Sequence, residues 1–109
     1  MNARLFALQR GTAIVMAPLV IVHLAVMFYA TRNGLSAADI LARLRGSYAW
    51  AAFYGAFAVA AGLHAQVGLR QVMREWLGVR GVGLDYCAWA VGASLIALGL
   101  RAAYAVTFG

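Results

Sequence analysis

Two histidines, His23 and His64, stand inside long apolar runs. Ionisable side chains are rare in such runs, and where they occur they mark function, because hydrocarbon surroundings penalise them. A neutral imidazole also presents a nitrogen lone pair, the donor that haem iron takes as an axial ligand. The competing reading for either histidine is a hydrogen bond to a neighbouring helix. Gly68 comes four residues after His64, on the same face of a helix, where a missing side chain leaves room for the edge of a flat ring. Arg70 follows half a turn later, near the end of the run. It can meet the propionates of a haem that reaches the headgroups, or it can serve only as a topology charge.

Depth separates the two histidines. His64 lies six residues before Arg70, roughly 9 Å below that membrane surface at 1.5 Å per residue. His23 lies thirteen residues after Arg10, roughly 20 Å from the same surface. The offset is about 10 Å before any tilt. One haem iron standing along a bundle needs both axial nitrogens at nearly one depth. The two histidines of one chain are therefore not expected to share a haem, and each needs a partner histidine from another chain. Arg101, in the outer part of the third run, is read as snorkelling to the interface. Its sharper reading is a pairing with a propionate of an outer haem.

The elements that must position these residues are membrane-spanning helices. The chain has 109 residues and is 65% hydrophobic, against about 45–50% for a soluble domain. Only helices and closed barrels satisfy every backbone polar group in lipid. Runs of about 20 apolar residues suit helices, and the alternation of a barrel is absent. The reading is all-α: an integral membrane protein with three transmembrane helices, at about residues 11–30, 48–69 and 85–107, in one domain covering 1–109. Residues 1–10 form a short head. The first run is too long for the apolar region of a signal peptide, about 7–15 residues. Pro18 removes one backbone bond and is expected to bend its helix. In the first loop, Ser36 and Asp39 have capping-box spacing, and Ile40, Leu41 and Leu44 form a stripe beside Arg43 and Arg45. A short interfacial helix follows from that pattern. Trp50, Phe53 and Tyr54 mark the start of the second span as an aromatic belt does, and its helix is expected to continue to Trp76. Gly55, Ala58, Gly62, Ala65 and Gly68 make this span rich in small residues, which let helices or a flat cofactor approach closely. Gly78, Gly81 and Gly83 mark a turn between the second and third spans.

Charge sets orientation and narrows function. All nine basic residues are arginine, and the net charge is +6. They cluster at the ends of the apolar runs, where topology signals sit, so nucleic acid is not the expected partner. The head and second loop hold five arginines and the first loop three, which favours a cytoplasmic amino terminus. The only acids are Asp39, Glu75 and Asp85, all in loops or at helix ends. A proton-coupled transporter needs such a group within a span, which argues against that class. A structural subunit without cofactor is the other rival. The single Cys87 has no intrachain partner and is read as a buried, inert thiol.

The stretch His64-Ala-Gln-Val-Gly68-Leu69-Arg70, followed by Glu75-Trp76, resembles the H-x-x-x-G-[ILM]-R signature of the cytochrome b membrane-anchor subunits of succinate dehydrogenase and fumarate reductase. Gln9-Arg10-Gly11-Thr12 resembles the H-R-x-[ST] stretch of the larger anchor, and Arg10-Gly-Thr-Ala-Ile-Val the R-A-T-A-I-V stretch of the smaller one. Length and three-span layout are similar to either, so the resemblance covers nearly the whole chain.

The resemblance implies a subunit that is not itself catalytic toward succinate. It would anchor an iron–sulfur subunit and a flavoprotein subunit in a bacterial inner membrane, beside a second, similar or identical, anchor chain. It would pass electrons to a membrane quinone. By the same resemblance His64 ligates haem b, and Arg10, Thr12 and Trp76 contribute to the quinone site. Trp76 stands where the smaller anchor has a tyrosine, and offers an indole donor but no phenol. Gln71 stands where the larger anchor usually has a histidine. The His64 motif matches the single-haem anchors, so one haem b is favoured. His23 suits the two-haem members, where His23 and Arg101 would serve an outer haem.

Overall fold

The computed structural model describes residues 3–109, and these are all-helical. Three helices, α1 (Ala3–Arg32), α3 (Tyr48–Trp76) and α4 (Val82–Thr107), are long and apolar enough to cross a membrane. A short helix, α2 (Ala37–Leu44), lies between the first two. The longest dimension is 47 Å, which matches about 40–45 Å for a bilayer with its headgroups.

Helix α1 begins well before the expected span and takes in Arg4 and Arg10. Residues 3–10 contain no glycine or proline and several strong helix formers. Leaving the hydrocarbon therefore does not end the helix, and residues 3–10 of the expected head belong to α1. The helix also runs unbroken through Pro18. Helix α3 continues to Trp76 as expected. Trp50 and Trp76 are 26 residues apart on it, roughly 39 Å along the axis, so the two indoles bracket a bilayer.

Ser36 caps α2 in a complete capping box. The Asp39 N–H donates to Ser36 Oγ at 3.1 Å, and the Ser36 N–H donates to Asp39 Oδ2 at 3.0 Å. Two further contacts fix α2 to the ends of the spans. The Arg43 guanidinium sits 5.2 Å from the centre of the Tyr29 ring. Gly46, at φ +74°, turns the chain so that its N–H donates to the Thr107 carbonyl at 2.7 Å. A side chain would strain that backbone.

Helix α3 lies between α1 and α4 and packs most closely on α4, while α2 packs on α4. The α3–α4 crossing is made by small residues. A Cβ placed on Gly92 would lie 2.9 Å from Gln66 Cβ and 3.1 Å from the Gly62 carbonyl oxygen, and one on Gly99 would lie 2.6 Å from Ala58 Cβ. Without a hydrophobic driving force between helices in lipid, such backbone approach supplies the packing. On α1, Thr12 is the buried residue. A half-buried line that includes Leu8, Gln9, Met16, Leu19 and His23 faces the bundle, and the opposite face of the helix turns outward, toward lipid or another chain. Cys87 is exposed on α4, contrary to the expected buried thiol. In a span the outward face is itself apolar surroundings, so a small apolar thiol gains nothing by facing inward.

Candidate functional site

The α1–α3 contact carries both histidines. His64 faces Thr12, whose Oγ1 lies 3.2 Å from His64 Nδ1. Thr12 is only 7% exposed, and its oxygen also lies 2.8 Å from the Leu8 carbonyl and 3.1 Å from that of Gln9. A hydroxyl has one proton to donate. Directed to the nearest carbonyl, Leu8, it leaves Oγ1 to accept from Nδ1–H of the imidazole. That fixes the tautomer and places the lone pair on Nε2, the nitrogen free to bind a metal. On the same face, Gln9 lies against Gly68: a Cβ there would sit 3.5 Å from Gln9 Nε2. Gln9 Oε1 is buried and has no donor. The space that the missing Gly68 side chain leaves is thus bordered by an amide.

His23 stands further along α1 in an aromatic setting. It meets Tyr54 and Phe57 edge-on, with ring centres 5.9 and 5.7 Å away. It borders a cavity of about 730 Å³ between α1, α2 and the start of α3, lined in part by Tyr29, Arg43 and Trp50. Thr12, opposite His64, is eleven residues from His23, roughly 16 Å along α1.

Arg70 is turned elsewhere. Six residues beyond His64 is about 240° around a helix, so the two side chains leave α3 in different directions. Arg70, 6% exposed, donates through Nε to Gln66 Oε1 at 2.9 Å and through Nη1 to Asp85 Oδ1 at 2.5 Å. Its guanidinium carbon lies 5.5 Å from the centre of the Trp89 ring. Its Nη2 and Gln66 Nε2 are buried without partners. The residues that hold Arg70 were not singled out from the sequence. Gln66, fully buried, offered one signal, an amide inside an apolar run. Asp85 sits fifteen residues away in the chain, across a turn, and nothing local announces the pair.

The three residues expected at a quinone site do not converge within one chain. Arg10 is exposed, 5.6 Å from the centre of the Phe6 ring, and points about 200° away from Thr12 around α1. The Thr12 hydroxyl is committed to Leu8 and His64. Trp76 is 81% exposed at the end of α3. Arg101 is exposed on α4 and makes no hydrogen bond or ion pair among the described residues. Also among the described residues, no cluster of three or more His, Cys, Asp or Glu side chains could hold a bare metal ion. Haem iron asks less of a chain, since the porphyrin supplies the equatorial nitrogens and one imidazole is enough.

A family model for the succinate dehydrogenase/fumarate reductase transmembrane subunit matches residues 1–102. No curated protein and no solved structure matches the chain.

Proposed function

The chain belongs to the succinate dehydrogenase/fumarate reductase transmembrane subunit family, and on that premise we propose that it is a haem b-binding anchor that passes electrons from an iron–sulfur subunit to membrane quinone. The observation that carries the haem reading is the contact between Thr12 Oγ1 and His64 Nδ1. Histidines that bind metals almost always donate their other ring N–H to a fixed acceptor, which sets the tautomer and raises ligand basicity. Here a buried hydroxyl fills that role inside an apolar span.

Bound at His64, haem would supply a one-electron carrier between the iron–sulfur subunit and quinone. The chain's own residues do the rest. Thr12 holds the imidazole and so fixes the direction in which Nε2 points. Arg70, paired with Asp85, holds α3 to α4 and keeps a positive charge at the end of the bundle. The propionate contact still open to it would be through Nη2, which is buried without a partner among the described residues. Arg10 and Trp76 are exposed at that same end, so the quinone site is proposed to be completed there by the second anchor chain and the iron–sulfur subunit. His64 and His23 lie too far apart for one iron between them. The second axial ligand therefore comes from the second anchor chain.

A reduced-minus-oxidised spectrum of the purified complex tests the reading. Wild type is expected to show a b-type signal, and His64→Ala to lose at least one haem by pyridine haemochrome. His64→Met is expected to keep some haem at a raised potential, since the axial ligand tunes it. Unchanged haem content in His64→Ala would remove the assignment.

A further inference from the structure

The end of the bundle where α1 begins carries a second polar feature, along α3 beyond His64. Arg70, Arg74 and Arg80 border a cavity of about 590 Å³, whose walls include Leu5, Val67 and Glu75. The charges there do not cancel. The Glu75 carboxylate accepts from Gln71 at 2.9 Å. Asp85 lies 2.5 Å from Arg70 and 4.0 Å from Arg74. Among the described residues there, three arginines face two carboxylates, which leaves one positive charge in excess. Arg80 makes no hydrogen bond or ion pair among the described residues, and the buried Arg70 keeps Nη2 without a partner.

The depth of this cavity identifies the surroundings. It sits beside Trp76, an exposed indole at the end of a helix about as long as a bilayer is thick. That is headgroup level, where basic pockets between spans take lipid phosphates. Leu5, half-buried, supplies apolar wall beside the guanidinium groups, over the buried Val67. A single negative phosphodiester would balance the excess charge, while a choline headgroup would bring a second cation against Arg80. We propose that this cavity binds the phosphate of an anionic phospholipid, with Arg74 and Arg80 as its ligands, Arg70 fixed beneath them, and an acyl chain along Leu5. The site does not depend on haem at His64.

Native mass spectrometry of the purified complex, titrated separately with phosphatidylglycerol, phosphatidylcholine and inorganic phosphate, tests it. Wild type is expected to hold one phosphatidylglycerol at least about fivefold more tightly than phosphatidylcholine, the worth of roughly one surface arginine at an anionic lipid. Arg80→Gln is expected to lose about fivefold, and Arg74→Gln with Arg80→Gln about 25-fold. Arg80 lies in the exposed turn between α3 and α4, so Arg80→Gln is expected to keep the helical circular dichroism and any haem spectrum of wild type. Equal affinity for the two lipids, or a preference untouched by Arg80→Gln, would overturn the site. Displacement by inorganic phosphate at matching concentration would make it a solution-phosphate site instead. Binding by the free chain that vanishes in the assembled complex would assign the cavity to an acidic segment of a partner subunit.

Discussion

Thr12 Oγ1 stands 3.2 Å from His64 Nδ1 across the α1–α3 contact. The two residues are 52 positions apart in the chain, and Thr12 is the buried residue of α1. With the hydroxyl proton on the Leu8 carbonyl, Oγ1 accepts from Nδ1–H, and the lone pair then lies on Nε2.

The first prediction removes that acceptor. Thr12→Val keeps the shape of the side chain and loses the oxygen. Haem affinity, measured by titrating apoprotein, is expected to fall about 10–100-fold, the usual consequence of losing a partner to a ligating histidine. Thr12→Ser is expected to bind nearly as wild type. Wild-type affinity in Thr12→Val would show that the contact is packing alone.

The helices were legible in the sequence because lipid leaves a chain so few options. The capping box at Ser36 and Asp39 was legible because it is local, as was the role of Gly62 in close packing. The phase of a helix fixes the direction of each side chain, but not which neighbour waits there. Arg70 therefore read as a headgroup charge beside His64, while the fold gives it to Asp85 and Gln66. The start of α1 was missed for a different reason: the hydropathy of a run reports where lipid ends, and helices ignore that boundary. Cys87 was misplaced by a soluble-protein habit, in which a small thiol belongs inside.

The α3–α4 crossing is expected to be intolerant at Gly92 and tolerant at Gly55. A side chain on Gly92 would press on Gln66 Cβ at 2.9 Å and on the Gly62 carbonyl, while one on Gly55 meets only Leu100 at 3.7 Å. Gly92→Val is expected to cost about 1–3 kcal/mol or more, as overpacking does, and Gly55→Ala little. Thermal unfolding in detergent reads the difference. Similar midpoints for the two variants would contradict the packing.

The cap of α2 carries a pH dependence with a definite sign. The Ser36 backbone N–H, and then its hydroxyl, hold the Asp39 carboxyl below its ordinary value of 3.8. A depressed acid in the folded state stabilises above the unfolded value, and that stabilisation is lost as pH falls through the lower, folded one. Hydrogen exchange of the α2 amides, corrected for its intrinsic pH dependence, is expected to show constant protection from neutral pH down to about 4 and a loss below it. Asp39→Asn is expected to flatten that profile. A loss of protection near pH 6 would point to a different group.

Orientation follows from the arginines. Five in the head and second loop against three in the first loop favour an amino terminus in the cytoplasm, and with three spans the carboxyl terminus is then expected outside. An alkaline phosphatase fused after Gly109 is expected to be active, and a green fluorescent protein there dark. The reverse pattern would invert the bundle and put the arginine cavity on the outer leaflet.

The last prediction concerns the number of haems. His64 and His23 both lie on the α1–α3 contact, but roughly 16 Å apart along it. Among the described residues, His64 has the Thr12 hydroxyl beside its Nδ1, and His23 has only the edges of Tyr54 and Phe57 and no hydrogen bond. Ligating histidines almost always carry a hydrogen-bond acceptor on the second nitrogen, so His64 is the better expected ligand and His23 the poorer one. One haem is therefore favoured, and His23→Ala is expected to leave the spectrum and a one-component redox titration unchanged. In the two-haem alternative, His23→Ala removes an outer haem and spares the inner one, and wild type titrates with two components. Arg101, exposed on α4 without a partner among the described residues, would then be the cation nearest such an outer group in chain terms, and Arg101→Gln would shift only the component that His23→Ala abolishes. Neither version allows a sole haem, one per chain, to vanish in both His23→Ala and His64→Ala. That result would mean the two imidazoles reach one iron, and α1 would have to slide along α3 by about two to three helical turns from the register that Thr12 and His64 define.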